Sequence, residues 1–269
     1  MRNPPVNRND AAPRALPGAA PLVAVAHGSR DPRAAQVVTE LLDRVRALRP
    51  DLPVHGAFLD HMAPSPAQVL ERLAGEDTGA AVVLPLLLTA AYHSKIDLPG
   101  VLRRVRADHP ELSVRYGDTL GPHPALLDVL RARLAEAGVT EPDPDTAVVL
   151  TSAGSSDSTA NATIIGMAAR WAADARTAGP GWHSVVPAYA SAASPDPATA
   201  VAARYAAGAR RVVVASYFLA PGFFADQVAE AAHGAGATAV SPVLGPADEL
   251  ARLILDRYAA AGAAVPAAA

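Results

Sequence analysis

The 269 residues contain no cysteine, which excludes disulfides, thiolate metal sites and thiol catalysis together. Aromatic residues make up only 4%, so a core must be built from aliphatic side chains and alanine. Lysine is nearly absent, with Lys95 alone among 23 basic residues. The formal charge of −3 gives no support to a nucleic-acid-binding face, which requires an excess of positive charge. No apolar run approaches the roughly 20 residues of a membrane-spanning helix. Residues 1–20 lack both hydrophobic periodicity and the continuous apolar centre of a secretory signal. They are expected to form a disordered leader, and the protein is expected to be cytoplasmic.

Short apolar runs separated by turn residues are abundant. Strands are expected near 22–26, 53–59, 81–87 and 112–116, alternating with helices near 32–48, 64–74, 98–108 and 123–137. Asp31-Pro32, Ser65-Pro66 and Asp97-Leu98-Pro99 supply helix-start signals. The segment Gly138–Asp145 reads as a linker. Beyond it the pattern restarts, with strands near 146–151, 184–189, 211–218 and 237–241. Val25–Asp31 aligns with Thr151–Asp157 at an offset of 126 positions, and Leu120-Gly121-Pro122 with Leu244-Gly245-Pro246 at 124. Two nearly equal offsets imply an internal duplication. The expected fold class is α/β, with two tandem flavodoxin-like domains at 21–140 and 141–269. Each is a parallel four-stranded sheet flanked by helices.

Chemistry concentrates where strands end. His27-Gly28-Ser29 follows the first apolar run and His93 follows the third, and open α/β sheets bind ligands outside the carboxyl ends of their strands. A strand order beginning 2-1-3 makes His27 and His93 neighbours, with Asp60 flanking His27 on the other side. Two imidazoles form an incomplete, exchangeable ligand set for a divalent ion. In the second half Ala153 occupies the position of His27, and Phe224 falls near that of His93, so the imidazoles are not duplicated. Asp60 also suits a turn or helix cap, and Asp97 an N-cap. Ser29 and Arg30 divide between turn chemistry and substrate contact. His55, His109, His183 and His233 read as structural, whereas His61 and His123 lie at ligand-facing ends. Phe223 and Phe224 are expected to pack within the second domain, stacking on a flat ligand being the alternative.

Three segments carry a resemblance: Ala24–Asp31, Ala57-Phe58-Leu59-Asp60 with Pro64-Ser65, and Leu86–His93 with Asp97-Leu98-Pro99. In this order they resemble the sirohydrochlorin chelatase family, the class II, cofactor-independent chelatases of the CbiX and SirB type. The likeness is specific over about residues 21–120 and continues beyond as a repeat pattern. It implies chelatase-like domains, the first carrying the metal-binding histidines and the second, degenerate, closing the cleft. It also implies ATP-independent insertion of Fe²⁺ into sirohydrochlorin to give sirohaem, or of cobalt for cobalamin, with no cofactor beyond the metal substrate. On this resemblance His27 and His93 hold the metal and act in catalysis. Asp60 stands where the family usually has Glu, and Ser29, Arg30, Tyr92 and Lys95 are the substrate-binding candidates. The implied partner is a small-molecule tetrapyrrole, with no nucleic acid and no membrane, on a monomeric pseudo-dimer or a homodimer. A non-catalytic metal carrier would use the same histidines but needs no second domain. A histidine phosphatase would need Arg where Ala26 stands, and dinucleotide binding would need a G-x-G-x-x-G that neither first strand precedes.

Overall fold

The computed structural model describes residues 19–90 and 97–263. The first half alternates β1 (Leu22–Ala26), α1 (Pro32–Leu48), β2 (Val54–Phe58), α2 (Pro66–Gly75), β3 (Ala80–Pro85), α3 (Leu98–Asp108), β4 (Ser113–Tyr116) and α4 (Pro124–Glu136). The second continues with β5 (Thr146–Ser152), α5 (Ser158–Ala178), β6 (Ser184–Tyr189), α6 (Pro197–Ala206), β7 (Arg211–Ser216), α7 (Phe223–Gly234), β8 (Ala239–Val240) and α8 (Asp248–Ala263). The sheets run β2-β1-β3-β4 and β6-β5-β7-β8, all pairs parallel. The expected α/β architecture and the expected 2-1-3 start of each sheet are both present. Among the described residues no helix is long and apolar enough to cross a membrane.

Helix starts follow their caps. The Asp31 carboxylate accepts from Arg33 N, and Ser65 with Gln68 forms a reciprocal capping box. Duplication is visible in register as well as sequence: Leu22 pairs with Val82 in the first sheet, and Val148 with Val213 in the second.

Side chains on a strand alternate between faces, and here the two faces enter different cores. Val23, Val25 and Val83 join an outer cluster of the first half, and Ala147, Val149 and Val214 one of the second. The inner-face residues Leu22, Ala24, Leu84, Val148, Leu150 and Val213 share one cluster that spans both halves. Helices α1 and α5 fill this cluster from their own halves, whereas the last helix of each half is exchanged. α8, the last helix of the second half, packs on α1, β3 and β4, while α4, the last helix of the first half, packs on β7. Leu250, Leu253 and Ile254 of α8 and Leu126 and Leu130 of α4 all lie in the shared cluster. Repeat-related arginines pin both exchanges. Arg133 Nε and Nη2 donate to Leu244 O at 3.0 and 2.8 Å, and Arg257 Nη2 donates to Leu120 O at 3.5 Å.

Candidate functional site

Between the two sheets, at the carboxyl ends of their central strands, lies a cleft of about 1390 Å³. His27, Ser29 and Arg30 line it from the first half, and Ser152–Ser156 face it from the second. The turn after β1 depends on Gly28. Its φ is +93°, and a Cβ there would stand 1.9 Å from Asp60 O, so no side chain fits. Asp60 N donates to His27 O at 2.9 Å, which locks the turn and leaves the His27 side chain exposed at the strand end. Ser29 Oγ accepts from Asp31 N at 3.0 Å, so Ser29 serves the turn and also borders the cleft. Arg30 is exposed on the same border.

Asp60 flanks His27 through its main chain, and its exposed side chain is not part of the cleft lining. Phe58, His61 and Met62 form the wall on that side. His61 adopts φ +62°, a left-handed backbone that a sequence of side-chain types does not display. Leu86 N donates to Val25 O at 2.7 Å, continuing β3 beside β1 so that Leu87, Leu88 and Thr89 line the cleft. Tyr92, His93 and Lys95 follow in sequence and lie outside the described residues. Among the described residues no three His, Asp or Glu side chains group as a metal site.

The second half repeats the same turn without the donor. Gly154 has φ +80°, a Cβ on it would stand 2.0 Å from Ser191 O, and Ser191 N donates to Ala153 O at 2.9 Å. Ser155 Oγ accepts from Asp157 N at 3.0 Å, as Ser29 does from Asp31. Ala153 and Ser191 therefore occupy the frame that holds His27 and Asp60. Packing of Phe223 and Phe224 within the second domain is not found. They are 74% and 40% exposed and line the cleft, because α7 begins with them and its buried residues, Val228 and Ala232, come only a turn later.

Two contacts tie the halves together around the cleft. Tyr217 OH donates to Leu88 O at 2.9 Å, and burial raises its pKa far above the ordinary range, keeping the phenol protonated as a donor. At the mouth, Arg33 Nη2 contacts both Asp31 and Asp226 at 2.5 Å, bridging α1 to α7. Other histidines have local roles. His123 Nδ1 accepts from Ala125 N at the start of α4, His109 is the C-cap of α3 and His233 lies in the last turn of α7. His183 immediately precedes β6. His55 Nδ1 meets Arg72 Nη2 at 3.1 Å. Asp97 occupies the N-cap position of α3 without a side-chain cap hydrogen bond.

The sequence model of the CbiX family matches residues 21–137 and again residues 147–261. Over 148 residues the chain is 32% identical to the sirohydrochlorin cobaltochelatase of Priestia megaterium, covering 52% of this chain and 46% of that protein. It is 31% identical over 134 residues to the sirohydrochlorin ferrochelatase of the same organism, covering 49% and 50%. The chain thus spans about half the length of the curated relatives it matches. Among solved structures, SirB from Bacillus subtilis with Fe³⁺ superposes with a TM-score of 0.76 at 22% identity, over 90% of this chain and 95% of that one. CbiX, described as the terminal enzyme for siroheme biosynthesis in denitrifying bacteria, gives 0.61 at 21% identity, over 91% and 100%. Both likenesses extend the fold across the two halves.

Proposed function

Because the chain belongs to the CbiX family through both of its halves, we propose that it inserts a divalent metal into sirohydrochlorin, with Fe²⁺ giving sirohaem as the first reading. The observation that carries this reading is the exposed His27 at the mouth of β1, bordering a cleft of about 1390 Å³. That space is above the range of about 300–1,000 Å³ usual for small ligands, and it suits a large flat macrocycle.

In this reading His27 and His93 hold the metal as neutral imidazoles and release it to four ring nitrogens. Metallation removes two pyrrole protons, and the two imidazoles, once they have surrendered the metal, are competent acceptors for one proton each. Asp60, whose main chain flanks His27, stands where the family usually has Glu, and its part in the reaction requires its exposed side chain to turn into the cleft. Ser29, Arg30, Tyr92 and Lys95 meet the carboxylates of the substrate, helped by the N-terminus of α1. Residues 21–140 carry the metal side of the reaction, and residues 141–269 close the cleft. One chain holds both walls, so a monomer suffices. No further cofactor is required, and the setting is cytoplasmic.

Cobalt is the second reading, supported by a cobaltochelatase relative at 32% identity beside a ferrochelatase at 31%. Imidazole and carboxylate ligands accept either ion, and availability decides between them. The test is anaerobic incubation of the full chain with sirohydrochlorin and Fe²⁺ or Co²⁺, followed by absorbance. Metallation above the uncatalysed rate is expected, and His27→Ala is expected to lower it by about 10²–10⁴-fold without loss of fold. An uncatalysed rate in the presence of the wild-type chain contradicts the reading. Metal binding without tetrapyrrole binding would make the protein a carrier.

A further inference from the structure

We propose that Phe223 and Phe224 are the stacking wall for the face of the macrocycle turned away from His27. The proposal rests on the chelatase reading and adds to it the residues that hold the ring. Among the described residues four large hydrophobic side chains are exposed, namely Leu48, Ile165, Phe223 and Phe224. The two phenylalanines are adjacent and both line the cleft. Bare aromatic rings at a water-filled mouth are unfavourable unless a ligand covers them.

The duplication says which face they serve. Val82-Val83 and Val213-Val214 are related by 131 positions, and the hydrogen bonds Leu120 N to Leu87 O and Leu244 N to Phe218 O repeat at the same spacing of acceptors. By this relation Phe224 is the counterpart of His93, as Ala153 is of His27. Across the cleft the first half presents the His27 imidazole, and the second presents the Ala153 methyl group and two aromatic rings. A flat ring between them has a metal-donating face and a face that cannot coordinate.

Proximity agrees with this assignment. A Cβ on Gly222 would stand 3.6 Å from Ser29 Oγ, so the start of α7 lies against the His27 turn. The Arg33–Asp226 ion pair holds that same first turn of α7 to α1. The two rings are 5.6 Å apart and tilted by 62°. Such a pair gives a planar ligand one ring to lie on and one to meet at its edge.

The test uses the full chain and measures two affinities separately: metal-free sirohydrochlorin by absorbance titration, and Co²⁺ by calorimetry. Phe224→Ala and Phe223→Ala are each expected to weaken tetrapyrrole binding, about ten-fold for the ring that stacks. Phe224→Tyr should restore it and Phe224→Leu should not, while Co²⁺ affinity stays at the wild-type value throughout. KM is expected to rise more than kcat falls. Because both rings are exposed, the thermal midpoint should hold, which separates lost stacking from lost fold. If the wild type binds sirohydrochlorin and the Phe223→Ala/Phe224→Ala double variant binds it equally well, the stacking wall is wrong and the chelatase reading stands. If the wild type binds none, both fall. A change of oligomeric state on removing the rings, seen by sedimentation, would assign them to a contact between copies and overturn the proposal.

Discussion

His27 owes its exposure to the residue beside it, since Gly28 alone permits the main chain of Asp60 to approach so closely. That turn was legible, because glycine followed by Ser, Asp and Pro spells a strand end turning into a capped helix. The place of Ser29 and Arg30 beside His27 follows from chain continuity. Phe223 and Phe224 were not legible, since apolar character predicts burial and nothing in it says that α7 begins at the cleft, a turn before its buried residues. The position of His61 after β2 points to the ligand-facing end, but its place in the wall comes from a left-handed backbone. His55 gives a prediction at this scale. It is half-buried, and burial first, then the Arg72 charge, lowers its pKa from the ordinary 6.5. Its Nδ1 accepts from Arg72, which only the neutral ring can do. An unfolded chain with an ordinary imidazole therefore takes up the proton first as pH falls. The contribution of His55 to stability is complete above about pH 6.5 and is lost as pH drops through the lower folded value. Between pH 7 and pH 5 the thermal midpoint should fall further in the wild type than in His55→Gln. Parallel curves would rule this out.

The strands and the helices of the first half lie within about two residues of their sequence-derived positions, because caps and prolines mark the helix starts. β8 is the shortest, yet Thr238 N to Val212 O and Ser241 N to Val214 O at 2.8 Å extend its pairing over the expected stretch. Pro242, which has no N–H, ends it. The exchange of α4 and α8 could not be read from sequence. An apolar stripe such as Leu126, Leu127, Leu130 and Leu134 announces a buried face, but duplication gives both sheets nearly the same surface to receive it. The arginine pins make the exchange testable. Arg133 places two nitrogens on Leu244 O, whereas Arg257 reaches Leu120 O at the limit of hydrogen bonding. Arg133→Met should destabilise the protein by about 1.5–3 kcal/mol, and Arg257→Met by less, in denaturant titrations. Equal losses would show that the two pins are equivalent despite their geometry.

At the scale of the molecule, duplicated sequence does not mean two independent folding units. The inner faces of both sheets enter one cluster, which α1 and α5 fill together with the helices α4 and α8 that each half lends to the other. Calorimetry should therefore show one transition, with the calorimetric and van't Hoff enthalpies equal, and two resolved transitions would contradict the shared core. The exchange also sets an order of events during synthesis. When α4 has been made, the first sheet still lacks α8, whose last residue is Ala263, 127 residues beyond Glu136. At about 5–20 residues per second the ribosome needs roughly 6–25 s to supply it. Throughout that interval α1 can cover its own side of the inner face, but the β3 and β4 side around Leu84 lacks the helix that covers it in the finished fold. A chaperone that binds bare aliphatic strands has its opportunity in those seconds, and the half that carries His27 is the one it would guard.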